Sequence, residues 1–126
     1  MVELGCGLGL PSLAAALGGA DVLGTDWAEE AVELLRRNAE RNGVELRAER
    51  VRWDEPEWLL AEAPFDLVLG ADLLYEARNA EQLAELLPSL GREALLAEPG
   101  RPYAPAFLER LDAEPAGDRL WRIRLP

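Results

Sequence analysis

The sequence predicts an α/β fold, a mostly parallel sheet with helices on both faces, and three observations carry that reading. Strand-like and helix-like segments alternate along the whole chain, a pattern that a parallel sheet with crossover helices accommodates. The runs Phe65 to Gly70, apolar but for Asp66, and Ala94 to Ala97 suit central strands buried on both faces. A glycine-rich turn follows directly on the first short strand. The 126 residues are expected to form one domain over residues 1–126, long enough for a single core and too short for two.

Val2 to Leu4, apolar at both ends, meets glycine at once and reads as the end of a strand. A strand usually has about 5–6 residues, so the first strand is expected to be stunted and the sheet truncated at its N-terminus. Its exposed edge is expected to favour self-association as a homodimer. Leu10 to Leu17 predicts a helix; Pro11 suits the first turn, where its N–H would have no partner anyway, and Gly18-Gly19 ends it. Ala20 to Thr25 predicts the second strand, with Asp26 at its tip placed to cap the next helix.

That helix is expected from about Ala28 to Asn42, because Ala31, Leu34, Leu35 and Ala39 share a face at helical spacing. Glu29 and Glu30 lie in its first turn and Arg36, Arg37 and Arg41 later, in line with the helix dipole. Val44 to Val51 alternates apolar and polar and predicts a third strand, and Asp54 to Glu62 a short helix or loop. Phe65 to Gly70 is the fourth strand, Asn79 to Leu90 a helix, Ala94 to Ala97 a strand closed by Glu98-Pro99-Gly100, Ala104 to Leu111 a helix and Leu120 to Leu125 a final strand. Beyond Asp112 there is room for one good strand and a vestige of another, so the C-terminal hairpin is expected to be shortened.

Composition removes several function classes. The chain carries 24 acidic residues against 13 basic ones, all arginine, for a net charge of −11. No basic stripe is visible, so nucleic acid is not an expected partner. An acidic surface attracts basic proteins and cationic small molecules, and the same charge serves plain solubility. With no histidine, the usual general base, pH switch and metal ligand are missing together. No Asp/Asn-rich loop has the spacing for Mg²⁺ or Ca²⁺, and no metal is expected. The single cysteine, Cys6, excludes an internal disulfide and fits a reducing cytoplasm. The longest apolar run, Leu8 to Leu17, is too short for a bilayer and lacks the charged segment that opens a signal peptide, so no membrane is expected.

Three segments carry chemistry. In Glu3-Leu-Gly-Cys-Gly-Leu-Gly9 the glycines stand at relative positions one, three and five, Gly5, Gly7 and Gly9, with Leu10 where a dinucleotide fingerprint has its third glycine. That spacing suits a nucleoside without phosphates better than a pyrophosphate; a tight turn with no ligand is the plain alternative. Asp26, at the tip of the second strand, is placed to accept hydrogen bonds from both hydroxyls of a ribose, or to serve as a helix cap. Ala71-Asp72-Leu73-Leu74-Tyr75 follows the fourth strand, whose tip opens into the same crevice. By composition alone Asp72 is equally a helix cap and Tyr75 a core aromatic.

Together the segments "VELGCGLGL", "VLGTDW", "VRW" and "FDLVLGADLLYE" resemble class I S-adenosylmethionine (SAM)-dependent methyltransferases. They resemble most closely the branch that holds protein-lysine methyltransferases and nicotinamide N-methyltransferase-like proteins. The resemblance runs from Met1 to about Leu111 and implies a Rossmann-like sheet, SAM as cofactor and methyl transfer to an amine, a protein lysine side chain above all. It implies that Glu3 orients the methionine amine, that Gly5, Cys6, Gly7 and Gly9 form the cofactor loop, and that Asp26 holds the ribose. Trp53 would flank the adenine (a core aromatic is the equal alternative), Ala71 would pack beside the adenosine, and Asp72 and Tyr75 would frame the incoming nucleophile.

Relatives place an upstream segment over the methionine end of the cofactor, and the sequence starts without one. A catalytically impaired binding module that needs a partner or an upstream segment is therefore the alternative expectation. A nucleotide-dependent oxidoreductase is a third, weakened by the missing glycine. The expected partner is a basic protein or peptide, or a small amine.

Overall fold

The computed structural model describes residues 1–126. The elements follow in the order β1 (Val2–Leu4), α1 (Leu10–Leu17), β2 (Leu23–Asp26), α2 (Glu29–Arg41), β3 (Arg47–Arg50), α3 (Glu57–Glu62), β4 (Val68–Ala71), α4 (Ala77–Leu86), β5 (Glu93–Ala97), α5 (Ala104–Arg110), β6 (Glu114–Gly117) and β7 (Leu120–Arg124). They build one seven-stranded sheet of order β3-β2-β1-β4-β5-β7-β6. The first five strands in that order run parallel, and β7 pairs antiparallel with both β5 and β6. This is the expected α/β architecture, with a mixed rather than wholly parallel sheet.

The register explains which residues hold the sheet together. Leu23, Val2, Val68, Ala94 and Ile123 are paired in succession across β2, β1, β4, β5 and β7. None of the five is more than 1% exposed, and all join a cluster of 20 buried residues. Leu59 of α3, Leu83 and Leu86 of α4, and Phe107 and Leu108 of α5 pack into that cluster. Side chains alternate along a strand, so the neighbouring row points to the other face. There Leu13 of α1 and Val32, Leu35 and Ala39 of α2 form a smaller cluster with Ala48 and Cys6. The helices thus divide between the faces, α1 and α2 on one and α3 to α5 on the other.

β1 has three residues, the stunted strand expected, but it lies at the centre of the sheet between β2 and β4. Its shortness therefore leaves no free edge, which corrects the expectation of an exposed edge there. The outer strands are β3, with Arg47, Glu49 and Arg50, and β6, with Pro115; charge and proline both discourage pairing with another sheet. The C-terminal hairpin has the good strand expected, β7, and a short partner, the four-residue β6, that pairs with it. Arg119 turns the chain with φ 52. The helix expected over Asn79 to Leu90 starts at Ala77 and gives way at Leu87 to a 3₁₀ turn, because Pro88 cannot donate to an α-helical ladder. No helix is long and apolar enough to cross a membrane.

Candidate active site

The register also aligns the strand tips. Glu3 pairs with Gly24 and Leu69, Asp26 with Arg50, and Ala71 with Ala97, so Gly5, Asp26 and Ala71 emerge side by side at one rim. The chain leaves β1 through Gly5 and Gly7, at φ 59 and 50, values that favour glycine. A Cβ on Gly5 would lie 2.7 Å from Leu73 Cδ2 and 3.9 Å from Trp53 Cζ2. The turn is tied to β2 by the Cys6 amide, which donates to Thr25 O at 2.8 Å, and by the Gly7 amide, which donates to Asp26 Oδ2 at 3.0 Å.

A cavity of about 450 Å³ opens at this rim. Of the residues singled out from sequence, Gly5, Asp26, Trp53, Ala71, Asp72 and Tyr75 line it. They come from the ends of β1, β2, β3 and β4. Glu3, Cys6, Gly7 and Gly9 do not line the cavity. The Glu3 carboxylate is 2% exposed and its Oε2 accepts from both the amide (2.9 Å) and the hydroxyl of Ser12. Ser12 N–H is one of the free donors at the start of α1, whose N-cap Gly9 has no side chain to satisfy it. Burial pushes the Glu3 carboxyl above the usual range, and the Ser12 bonds only partly offset it. Cys6 packs in the smaller core cluster; burial first, then the Asp26 and Glu3 carboxylates, push its thiol up to about 12. At Gly9 a Cβ would clash with Leu35 Cδ1, so this glycine allows α2 to approach the turn.

Asp26, 9% exposed, is held from two sides: Oδ2 by Gly7 and Oδ1 by the Ala28 amide at 3.0 Å. It braces the entry to α2 without being that helix's N-cap, which is Ala28. Each oxygen keeps a second lone pair free for a hydroxyl from the cavity. Asp72 sits at φ 53, and its amide donates to Ala97 O at 2.9 Å. Arg101 clamps its carboxylate in a two-point bond, Nε to Oδ1 at 2.8 Å and Nη2 to Oδ2 at 2.7 Å. The guanidinium holds the Asp72 carboxyl below the usual carboxylate range.

The cavity also takes in Trp27, Arg50, Arg52, Asp54, Arg78 and Gln82, which sequence reasoning passed over. Trp27, 65% exposed, directly follows the strand-tip carboxylate, a position that could have flagged it. The α4 residues Arg78 and Gln82 carried no signal beyond their helix.

A sheet of this order, with a glycine turn after β1 and a carboxylate at the tip of β2 facing one cavity, defines the class I methyltransferase fold. Residues 1–97 match the lysine methyltransferase family, and the chain belongs to it. The ribosomal protein L11 methyltransferase of Pseudomonas syringae pv. tomato is 36% identical over 129 residues, covering 99% of this chain and 44% of the relative. That of Serratia proteamaculans is 33% identical over 125 residues, covering 94% and 41%. The chain thus spans less than half the length of these curated relatives.

Among solved structures, the bifunctional kinase-methyltransferase WbdD superposes with a TM-score of 0.74 at 21% identity, over 98% of this chain and 34% of that one. The N-terminal domain of EvdMO1 with SAH bound gives 0.65 at 24% identity, over 75% and 40%. Both share the fold.

Proposed function

We propose that the chain is a SAM-dependent methyltransferase domain that methylates an amine, foremost a lysine side chain of a basic protein or peptide. The observation that carries this reading is the convergence of Gly5, Asp26, Trp53, Ala71, Asp72 and Tyr75 on one cavity. The residues fit the cofactor. The unsubstituted Gly5 keeps the gap between Leu73 and Trp53 open, and Asp26 presents a pre-oriented carboxylate suited to a ribose diol. Trp53 offers an aromatic surface for the adenine. The L11 methyltransferase relatives make a ribosomal protein of that kind the first substrate to test.

When bound, SAM supplies an activated methyl group on a sulfonium. The chain's own task is positioning and exclusion of water. A lysine amine, with an unperturbed pKa of about 10.4, must shed a proton before it attacks, and desolvation in the cavity favours the neutral form. Asp72 is placed to accept a hydrogen bond from that amine, and the half-exposed Tyr75 to face the cation as it docks. With no histidine in the chain, water takes the proton.

Calorimetry with S-adenosylhomocysteine and with NAD tests the reading. Binding of the first alone, with labelled methyl transferred to L11 or a lysine-rich peptide, is the expected result. Binding of NAD alone would replace it with the oxidoreductase reading. Binding of S-adenosylhomocysteine without transfer would leave a cofactor-binding module.

A further inference from the structure

Arg101 belongs to a different cavity from the carboxylate it holds. Asp72 lines the cavity at the strand tips, whereas Arg101 lines a second one of about 780 Å³ between α5 and the β6–β7 hairpin, beside Trp121. The ion pair is the partition between them. The backbone on the Arg101 side is fixed: Glu98, 5% exposed, accepts both the Gly100 amide (2.7 Å) and the Arg101 amide (2.5 Å) on one oxygen, Oε1. The guanidinium is not buried to match. Its side chain is 43% exposed and that of Asp72 45%, so the contact is well aimed but screened by water.

From this geometry we propose that Arg101 is an internal stand-in for the substrate cation: it occupies Asp72 until a primary ammonium displaces it, and so sets the affinity for the methyl acceptor. The inference rests on the proposed role of Asp72 as the acceptor's anchor. Both oxygens of Asp72 face Arg101 donors, and a two-point guanidinium contact is well matched to a carboxylate. A lysine ammonium that seeks the same oxygens competes directly. The guanidinium has somewhere to go, since the larger cavity lies on its own side of the partition. Arg101 thereby rejects neutral acceptors, which gain nothing from Asp72 that offsets breaking the pair, and admits cationic ones. It is a specificity residue and touches no cofactor.

The test uses n-butylammonium as a lysine side-chain probe and 1-butanol as neutral control, followed through the Asp72 backbone amide by NMR in the intact chain. Arg101→Gln removes the competing charge and keeps the Glu98 bonds, which go to main-chain amides. Its dissociation constant for butylammonium is expected to fall about two- to fivefold, the range of an exposed ion pair. Arg101→Lys, which keeps a cation but loses the two-point contact, is expected to fall between the parent chain and Arg101→Gln. Asp72→Asn added to Arg101→Gln is expected to abolish the gain. Unchanged, weaker or undetectable butylammonium binding in Arg101→Gln overturns the proposal, as does an equal gain for butanol. Calorimetry with S-adenosylhomocysteine on the same samples reports separately on the methyltransferase reading, because the probe titration needs no cofactor.

Discussion

The carboxylate of Asp26 accepts the Gly7 amide at 3.0 Å, so the strand-tip acid and the glycine turn form one rigid corner although 19 residues separate them. Removing the acid frees two backbone donors, Gly7 N–H and Ala28 N–H, and deletes the acceptor proposed for the ribose. Asp26→Ala is expected to destabilise the chain by about 1–3 kcal/mol in urea unfolding and to weaken S-adenosylhomocysteine binding by about tenfold or more. Retained affinity in a folded variant would remove Asp26 from the binding role.

Gly5 is expected to resist substitution. An alanine there meets Leu73 Cδ2 at 2.7 Å and must hold φ 59. Gly5→Ala should lose about 1–3 kcal/mol of stability. Shortening Leu73 to alanine in the same chain would relieve the clash and leave the backbone strain, so thermal melts should show partial recovery.

Asp72→Ala is expected to eliminate methyl transfer while changing the S-adenosylhomocysteine dissociation constant by less than about threefold, the mark of a group that acts on the acceptor alone. A parallel loss of binding in calorimetry would place Asp72 in the cofactor site instead.

Glu3 predicts an unusual pH response. Burial raises its carboxyl above the reference value of 4.5, so between that value and the higher native one the folded chain holds a proton the unfolded chain has released. Stability from this group is therefore present at low pH and declines as pH rises through the window. The stability difference between the parent and Glu3→Gln, from urea midpoints at several pH values, should shift toward the variant as pH rises above 4.5.

The thiol of Cys6, pushed up to about 12 and buried among Leu13, Val32 and Leu35, should not react with iodoacetamide at mildly alkaline pH in the folded chain. Alkylation should appear only when urea unfolds it, and rapid labelling of the native protein would mean that the turn opens.

The architecture was legible in the sequence because central parallel strands announce themselves: Val68 and Ala94 lie in short apolar segments that glycine or proline interrupts. The rim was legible for the same reason, since each residue that lines it among those singled out stands at or just past the end of a strand. What escaped were properties of distance. Which way Cys6 points depends on the register that sends Glu3 toward Ser12 on the α1 face, and loop composition does not encode it. The Asp72–Arg101 clamp joins residues 29 apart, neither in a shared motif. The central place of β1 follows from the crossover to β4, 66 residues further along between their first residues, Val2 and Val68.

The cavity's walls come from two stretches of chain that the sheet joins through the pairing of β1 with β4: Gly5, Asp26 and Trp53 precede the crossover, and Ala71, Asp72 and Tyr75 follow it. A molecule lodged there acts as a rivet between them, and its binding free energy adds to the cohesion of the whole sheet. Free ligand at a hundred times its dissociation constant contributes about 2.7 kcal/mol. Within the cell, the supply of that small molecule would then govern how much of the polypeptide survives proteolysis as well as how fast it works.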